Sequence, residues 1–600
     1  MLFSQFAESL ELIEGESSRL AMTSHLAELF KKLEPNEAGL ACYLLQGELL
    51  PPYKNLEFSL SDRLVMRAIA LLVGENGGFE QSGVAIDIFG QQDESFLISE
   101  IKKLFQKSGD LGEATKTAII ESAGENRAGK LSITETYEAL VEIATISGEG
   151  SQDEKIYLLK NLLNQVTPLS AKYIVRIILG KMRLGFSLMT MLDSFSWAAT
   201  NTKEESKFLE DIYQRKADVG KLAEEYLNRL SLTSQERQKQ LSAHYQVEVG
   251  VPIVPALCQR LNSAHEIIEK MTDVLAEPKY DGMRVQIHIN GDKINAFTRS
   301  LEDISHMYPE LKTLAKNLPI KNIILDSEVV GYNKESGKLL PFQETITRRR
   351  KHDIENKAKD VPVRFFVFDI LYLDGQDLMH KELLERKEIL KKLWQADSTE
   401  GELTPYITTQ DAGELKNYHE QLLREGLEGA VIKQIDSTYQ SGRKGWQWVK
   451  IKEEEGSRGM LNDTLDLVVM GYYFGKGKRK DFGIGAFLTG LLDNEGKIVT
   501  ISKIGTGITD DEFRDLKKHF GDFESADKPN IYEVDKNLLP DVWLTPEIVV
   551  EIAADEITRS TFHTSGYGLR FPRLIKVRDD KTNEQATKTS ELSGIIIKRD

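Results

Sequence analysis

A lysine is a nucleophile only when its amine has lost its proton, and an ordinary lysine at neutral pH has not. The stretch LAEPKYDGMRVQIHIN, residues 275–290, sets Lys279 between Glu277 and a Tyr-Asp-Gly turn, with Arg284 and an alternating strand behind it. Cations beside an amine lower its pKa and expose the lone pair. Arg284 follows shortly after Lys279, and Lys450 and Lys452 stand in the strand-like WVKIK. The pattern predicts a hairpin turning at Asn290, Gly291 and Asp292, which would bring Arg284 and Arg299 to the amine. Such a pocket suits a triphosphate held against the lysine. A surface strand carrying a few charges would read the same way, so KYDG alone does not decide.

The elements around this stretch divide the 600-residue chain, which is too long for one core. Residues 1 to about 230 read as helices. SDRLVMRAIALLVG has helical apolar spacing with Ser61 as cap. SITETYEALVEIATISG opens with a Ser132/Glu135 capping box and stops at Gly148. SAKYIVRIILGKMRLG predicts a helix before Gly180, with Lys181 and Arg183 just past its end. Residues 204–240 are charge-rich and read as either the end of this domain or a helical linker. From about Val249 the prolines of VGVPIVPAL end the helical texture. NIILDSEVVGYN and VRFFVFDILYLDG then read as strands of a mixed α/β domain. From about Thr464, short strands with one helix, TDDEFRDLKKHF, suggest a small closed barrel, for which the OB-fold is the natural candidate.

Bulk properties narrow the class. The net charge of −17 weighs against nucleic-acid binding taken alone, but affinity for phosphates follows where charge sits. TRRRKH (347–352) and GKGKRK (475–480) are basic runs in an acidic chain, and each reads as a solvated face as readily as a phosphate contact. The two cysteines, Cys42 and Cys258, lie far apart, which argues against a disulfide framework or a zinc cluster and fits a reducing cytoplasm. No apolar run is long enough to span a bilayer, and no signal peptide is evident, so no membrane role is expected.

The order of motifs is more specific. KYDGMR resembles the signature of the covalent nucleotidyltransferases, which include DNA ligases, RNA ligases and mRNA-capping enzymes. FTRSLEDISHMYPEL, LDSEVV, FFVFDILYLDG, LEGAVIK, WVKIK and LRFPRLIKVRDDK follow in that family's order over roughly residues 250–581. LLQGELLPPY and GKMRLGFS resemble the helical DNA-binding domain of ATP-dependent DNA ligases of the archaeal and eukaryotic replicative type. The resemblance implies a multidomain α+β chain. Residues 1–235 would form an all-helical DNA-binding domain, 236–456 a mixed α/β adenylation domain, and 457–600 an OB-fold β-barrel.

It also implies roles. Lys279 would carry AMP, Glu277 would accept from the adenine amino group, and Phe368 would stack on the base. Arg284, Arg299 and Glu328 would hold ribose and phosphate, and Lys450 and Lys452 the α-phosphate. Lys444 stands where many relatives have arginine, which puts a bidentate phosphate contact in doubt. Arg570 and Arg573 would orient pyrophosphate. Glu328 and Glu428 would contact Mg2+, which keeps waters and substrate phosphates in its shell. Phe342 and Phe571 would press into the minor groove, while Lys181, Arg183 and Arg348 would contact DNA. ATP as adenylate donor, nicked duplex DNA as substrate and a monomeric, cytoplasmic enzyme of replication, repair or recombination follow. A sliding clamp is a candidate partner, although no clamp-binding peptide stands out. RNA ligase, mRNA guanylyltransferase and a non-catalytic DNA-binding scaffold are the alternatives. The large helical domain and RFPR weigh against the first two, and the complete motif set against the third.

Overall fold

A computed structural model describes residues 1–79, 93–125, 127–316, 318–320, 322–348, 361–394, 400–442, 444–452, 464–475, 479, 482–554 and 556–592. Most of both basic runs, residues 349–352, 476–478 and 480, lies outside the described residues. The chain divides into two compact units. The first comprises residues 1–101, 111–182 and 186–452, and the second residues 102–110, 183–185 and 453–600. The expected boundary at 235 falls inside the helix Ser234–His244, within the first unit, and the boundary at 456 falls outside the described residues.

The first unit begins with helices. The capping box forms as its spacing predicts: Ser132 Oγ accepts from the Glu135 amide at 3.1 Å, and Glu135 accepts from the Ser132 amide at 2.8 Å. That helix, Ile133–Thr145, stops short of Gly148. The helix Pro168–Ile178 starts on a Thr167 cap and ends before Gly180, whose φ is +62°. It is buried all round, so Lys172 and Arg176 need a partner inside the core. Glu14 supplies it at 2.9 and 2.8 Å. Burial pushes the Glu14 carboxyl up, but Arg176 and Lys172 more than offset it and hold it near 2. The charge-rich residues 204–240 form three helices, Ser206–Arg215, Val219–Leu227 and Ser234–His244. They belong to the helical domain and are not a bare linker. Val219–Leu227 packs on Pro35–Gln46 where Gly39 meets the backbone of Gly220, and Tyr43 donates to Asp218 at 2.5 Å.

Two sheets follow in the same unit. One has the order β1 (Gln259–Arg260), β11 (Trp448–Lys452), β10 (Gly429–Gln434), β2 (Val274–Pro278), β9 (Ile407–Thr409). The other runs β4 (Lys293–Thr298), β3 (Met283–Asn290), β5 (Asn322–Gly331), β6 (Val363–Leu373), β7 (Gln376–Asp377), with β8 (Gly401–Leu403) beside β6. The β3–β4 hairpin turns where expected, with Asn290 opposite Lys293 and Gly291 at φ +61°. Alternation in β3 sends Val285, Ile287 and Ile289 into one core, shared with Leu325, Phe365 and Val367. Ile253, Ala256, Ile324, Leu371, Tyr439 and Trp448 form another core that draws on both sheets and the segment leading into them. The site lies along this second core.

In the second unit β12 (Leu465–Tyr473), β13 (Ala486–Leu492) and β14 (Ile498–Ile504) form an antiparallel meander. The helix Asp510–Gly521 comes next, and β18 (Val549–Ala553) then pairs with β12 and with β21 (Arg573–Val577). Phe513, Leu516 and Phe520 of the helix close the core of this strand-rich domain. The helix falls between the third and fourth long strands, as in the expected OB-fold. β19 (Glu556–Arg559) and β20 (Tyr567–Arg570) form a separate hairpin. No helix among the described residues is long and apolar enough to cross a membrane.

Candidate functional site

Lys279 is set at the end of β2 by backbone pairing. Its amide donates to the Gly429 carbonyl at 2.9 Å, and the Glu428 amide donates to the Lys279 carbonyl at 3.1 Å. The ladder thus runs one residue beyond the strand, and Lys279 shares a face with Glu277. Gly429, at φ +131°, allows the chain to turn Glu428 toward the lysine, and Lys279 Nζ forms an ion pair with the Glu428 carboxylate. The sequence leads one to expect cations around the amine, yet the group in direct contact is this carboxylate. Cations do gather one layer out. The half-buried Cys258 thiol, pushed up by desolvation, is pulled back by Arg284, Lys433, Lys450 and Lys279 together.

The turn after Lys279 is pressed against β5. A Cβ on Gly282 would lie 2.5 Å from the Val329 carbonyl oxygen and 2.9 Å from Glu328 Cγ. Only glycine lets the turn approach that closely. Asp281 accepts from the Phe342 amide at 3.1 Å, which ties the start of the short helix Phe342–Thr345 to the same turn.

Arg284 pairs directly with Glu328 across β3 and β5. Its guanidinium is turned to Asp326, with Nε at 3.0 Å and Nη2 at 2.6 Å from the two carboxylate oxygens. Tyr439 donates to Asp326 at 2.9 Å and accepts from Arg284 Nη2 at 3.2 Å. Burial works against the Arg284 charge, but Asp326 holds the guanidinium above its ordinary range. Glu328 is pushed up to about 8 by burial; Lys279 and Arg284 pull it down, while Asp326 and Glu428 push it further up. Lys279, Glu328 and Glu428 therefore act on one another in one pocket. No cluster of three or more His, Cys, Asp or Glu side chains suited to a metal occurs among the described residues. Two carboxylates, one held above its usual range by burial, do fit a cation that takes its other ligands from water and substrate phosphate.

Glu277 is 2 % exposed. One oxygen pairs with Lys387 and the other with Lys433 at 2.6 Å. Lys433 lies over the rings of Phe368 and Trp448, at 4.5 and 4.1 Å from their centroids. Phe368 is partly buried, packed on the core that includes Trp448, with Arg284 over its ring at 5.4 Å. Lys450 lies opposite Val431, which itself lies opposite Glu277, so the three residues share one row of the sheet. Lys452 pairs with Gly429 through its backbone, and its side chain lies outside the described residues. Asp326, Tyr439, Lys387, Lys433 and Trp448 were not singled out by sequence. Asp326, Lys433 and Trp448 stand inside quoted motifs, whereas Lys387 stands in a charge-rich helix that reads as solvated.

The remaining expected residues are placed differently. Arg299 is exposed just past β4. Lys444 is held by Asp211 at 3.2 Å, Glu210 at 3.3 Å and Gln214 at 3.1 Å, all on the helix Ser206–Arg215, so in this structure no phosphate role is evident for it. Arg348, expected on DNA, is 2 % exposed and paired with Glu310 at 2.9 Å over the Tyr308 ring. A buried guanidinium needs such a carboxylate, so this residue is built as a core ion pair. Lys181 pairs with Asp62 at 3.2 Å. Arg183, at φ +58°, is drawn to Asp110 at 3.4 Å and donates to the Gly109 carbonyl at 2.6 Å. In the second unit Arg570, Phe571 and Arg573 form the turn between β20 and β21. Phe571 is 61 % exposed at φ +51°, with Arg570 over its ring.

The chain matches three family models: the DNA ligase N terminus over residues 2–196, the ATP dependent DNA ligase domain over 255–452, and the ATP dependent DNA ligase C terminal region over 480–581. It is 38 % identical to a protein described as a probable DNA ligase of Dictyoglomus turgidum, over 99 % of this chain and 97 % of that one. It is 36 % identical to DNA ligase 2 of Thermofilum pendens, over 98 % and 96 %. A solved structure titled Pmar-Lig_Pre. aligns over 95 % of this chain and 98 % of its own, with TM-score 0.53 at 16 % identity, a likeness of fold. With the lysine, its carboxylates and the motif order in place, the chain belongs to the ATP-dependent DNA ligases.

Proposed function

We propose that the protein seals nicks in duplex DNA with Lys279 as the residue that carries AMP. Lys279 Nζ attacks the α-phosphorus of ATP; a P–N bond forms and the bond to pyrophosphate breaks. AMP passes to the 5′-phosphate of the nick, and the 3′-hydroxyl then displaces it, joining the strand. The observation that carries this reading is the seating of Lys279, between the buried acceptor Glu277 and the carboxylates Glu328 and Glu428, at the end of β2.

Within that reading Glu428, paired with the Lys279 ammonium, takes its proton before attack, and Glu277 selects the base. Phe368 lies against the base; Arg284 and Arg299 hold ribose and phosphate. Lys450 and Lys452 meet the charge that grows on the α-phosphate. Glu328 and Glu428 would hold Mg2+, which when bound screens phosphate charge. Arg570 and Arg573 serve the leaving pyrophosphate, and Phe342 and Phe571 the duplex beside the nick. A wedge of that kind costs roughly a few kcal/mol of unstacking, offset by new contacts. A monomeric state, a cytoplasmic location and recruitment by a sliding clamp belong to the same proposal.

The test is label transfer. The protein incubated with α-labelled ATP and Mg2+, without DNA, is expected to become labelled, and nicked duplex to discharge the label. Lys279→Ala should take none. Label from GTP alone, or label surviving in Lys279→Ala, would overturn the assignment.

A further inference from the structure

We infer that Lys387 is a positioning residue for base selection: by holding one oxygen of Glu277, it fixes that carboxylate in place as an acceptor, so that an amino purine is taken in preference to an oxo purine. The inference rests on the reading of Glu277 as the base acceptor.

Lys387 stands on the helix Leu383–Leu393 and is 4 % exposed. Burial pushes its ammonium pKa down, and so does Lys433, while Glu277 and Asp369 pull it up. A lysine in that position is costly unless it has a specific partner. Its neighbour Arg386 is already satisfied, with Nε at 2.8 Å and Nη2 at 3.0 Å from the oxygens of Asp369. The helix therefore delivers two cations inward, and only one is needed for Asp369. The other is committed to Glu277.

Glu277 is thus a single carboxylate between two ammonium groups, Lys387 on one oxygen and Lys433 on the other. Each oxygen so held retains a second lone-pair direction from which it can accept. The ring amino group of adenine is a donor and matches it. Guanine presents a carbonyl oxygen at the same ring position, which sets acceptor against acceptor. Removing one ammonium frees that oxygen of Glu277 from its anchor, and the carboxylate can then turn from the direction that the amino group needs. Among the described residues, the phenols of Tyr280, Tyr406 and Tyr418 also lie within electrostatic reach of Glu277. Asp369, paired with Arg386, lies near Lys387. None of the phenols replaces the charge of a lysine at neutral pH.

The experiment compares full-length protein with Lys387→Met and Lys387→Arg. It reads lysyl-nucleotide formation from α-labelled ATP and α-labelled GTP. For Lys387→Met the ATP-over-GTP preference in kcat/KM should fall by about ten-fold, chiefly through KM for ATP. Lys387→Arg should keep the preference. An unchanged ratio in folded Lys387→Met would overturn the inference. Should that variant fail to fold, the pair Glu277→Gln and Glu277→Gln/Lys387→Met takes its place. Once Glu277 is neutral, removing Lys387 should add no further loss of preference, and an independent loss would overturn the inference. If the unmodified protein takes label from neither nucleotide, the reading of the site fails and this inference falls with it.

Discussion

A carboxyl must release its proton before it can serve a cation, and at Glu328 the fold works against that release. Its carboxyl is pushed up to about 8 from 4.5 by burial, with Asp326 and Glu428 adding to the push. Between about pH 4.5 and about pH 8 the folded state keeps a proton that the unfolded state has lost. Stability contributed by the protonated form is therefore full below the unfolded pKa and declines as pH rises toward 8. Glu328→Gln removes the titration. Thermal unfolding of the ligand-free protein at about pH 8.5 should show the variant more stable than the parent by several kcal/mol, with the gap closing near pH 5. A gap that is the same at both pH values would mean that Glu328 is not held above its ordinary range. Tyr439 offers a second test at this scale. Its hydroxyl links Asp326, Arg284 and the Ala256 amide. Tyr439→Phe should cost about 1–2 kcal/mol of stability and raise KM for ATP, because Arg284 loses one of the groups that fix it. An unaltered KM would assign the hydroxyl to stability alone.

Gly282 shows how an element can limit chemistry that none of its own atoms performs. The turn that carries Tyr280, Asp281 and Gly282 lies so close to β5 that an added Cβ would reach 2.5 Å from a carbonyl oxygen. Gly282→Ala must push the turn off β5, where Glu328 stands, and so disturb the placing of Lys279. Lysyl-AMP formation should fall by about a hundred-fold while the melting temperature drops by only a few degrees. Retained adenylylation would show that the turn has room to give. The glycine was visible in KYDG, but its reason was not, because the neighbouring strand arrives from forty-odd residues further on. The same contrast runs through the fold. The Ser132 box, the turn at Gly291 and the alternation of β3 were legible because each is fixed by residues close in sequence. Residues 204–240 were ambiguous because their burial depends on Tyr43 and Gly39, far up the chain. Lys387 was invisible for a related reason: a lysine in a charged helix reads as solvated until the sheet that receives it is known.

At the scale of the molecule, a chain of net charge −17 must present cations to phosphates without first losing them to its own carboxylates. Several residues expected to meet phosphate are so engaged: Lys181 with Asp62, Arg183 with Asp110, Arg348 with Glu310, and Lys444 with Glu210 and Asp211. Arg348 is buried with its carboxylate, so a DNA contact would need that pair to break. Lys444 is different. It is partly exposed, and its carboxylates belong to a helix of the N-terminal region, so reaching a substrate phosphate means leaving them. Pairs of this kind are worth up to about 1 kcal/mol, roughly five-fold in an equilibrium. Asp211→Asn weakens the hold. If Lys444 contacts nucleotide phosphate during adenylylation, KM for ATP in the lysyl-AMP assay should fall by about two- to five-fold and approach the parent value again as salt is raised. If Lys444 instead serves only to dock the helix, KM will stay put and the melting temperature will fall. Lys444→Ala would then leave adenylylation unchanged as well, which separates a cation waiting for phosphate from one that has already found its permanent partner.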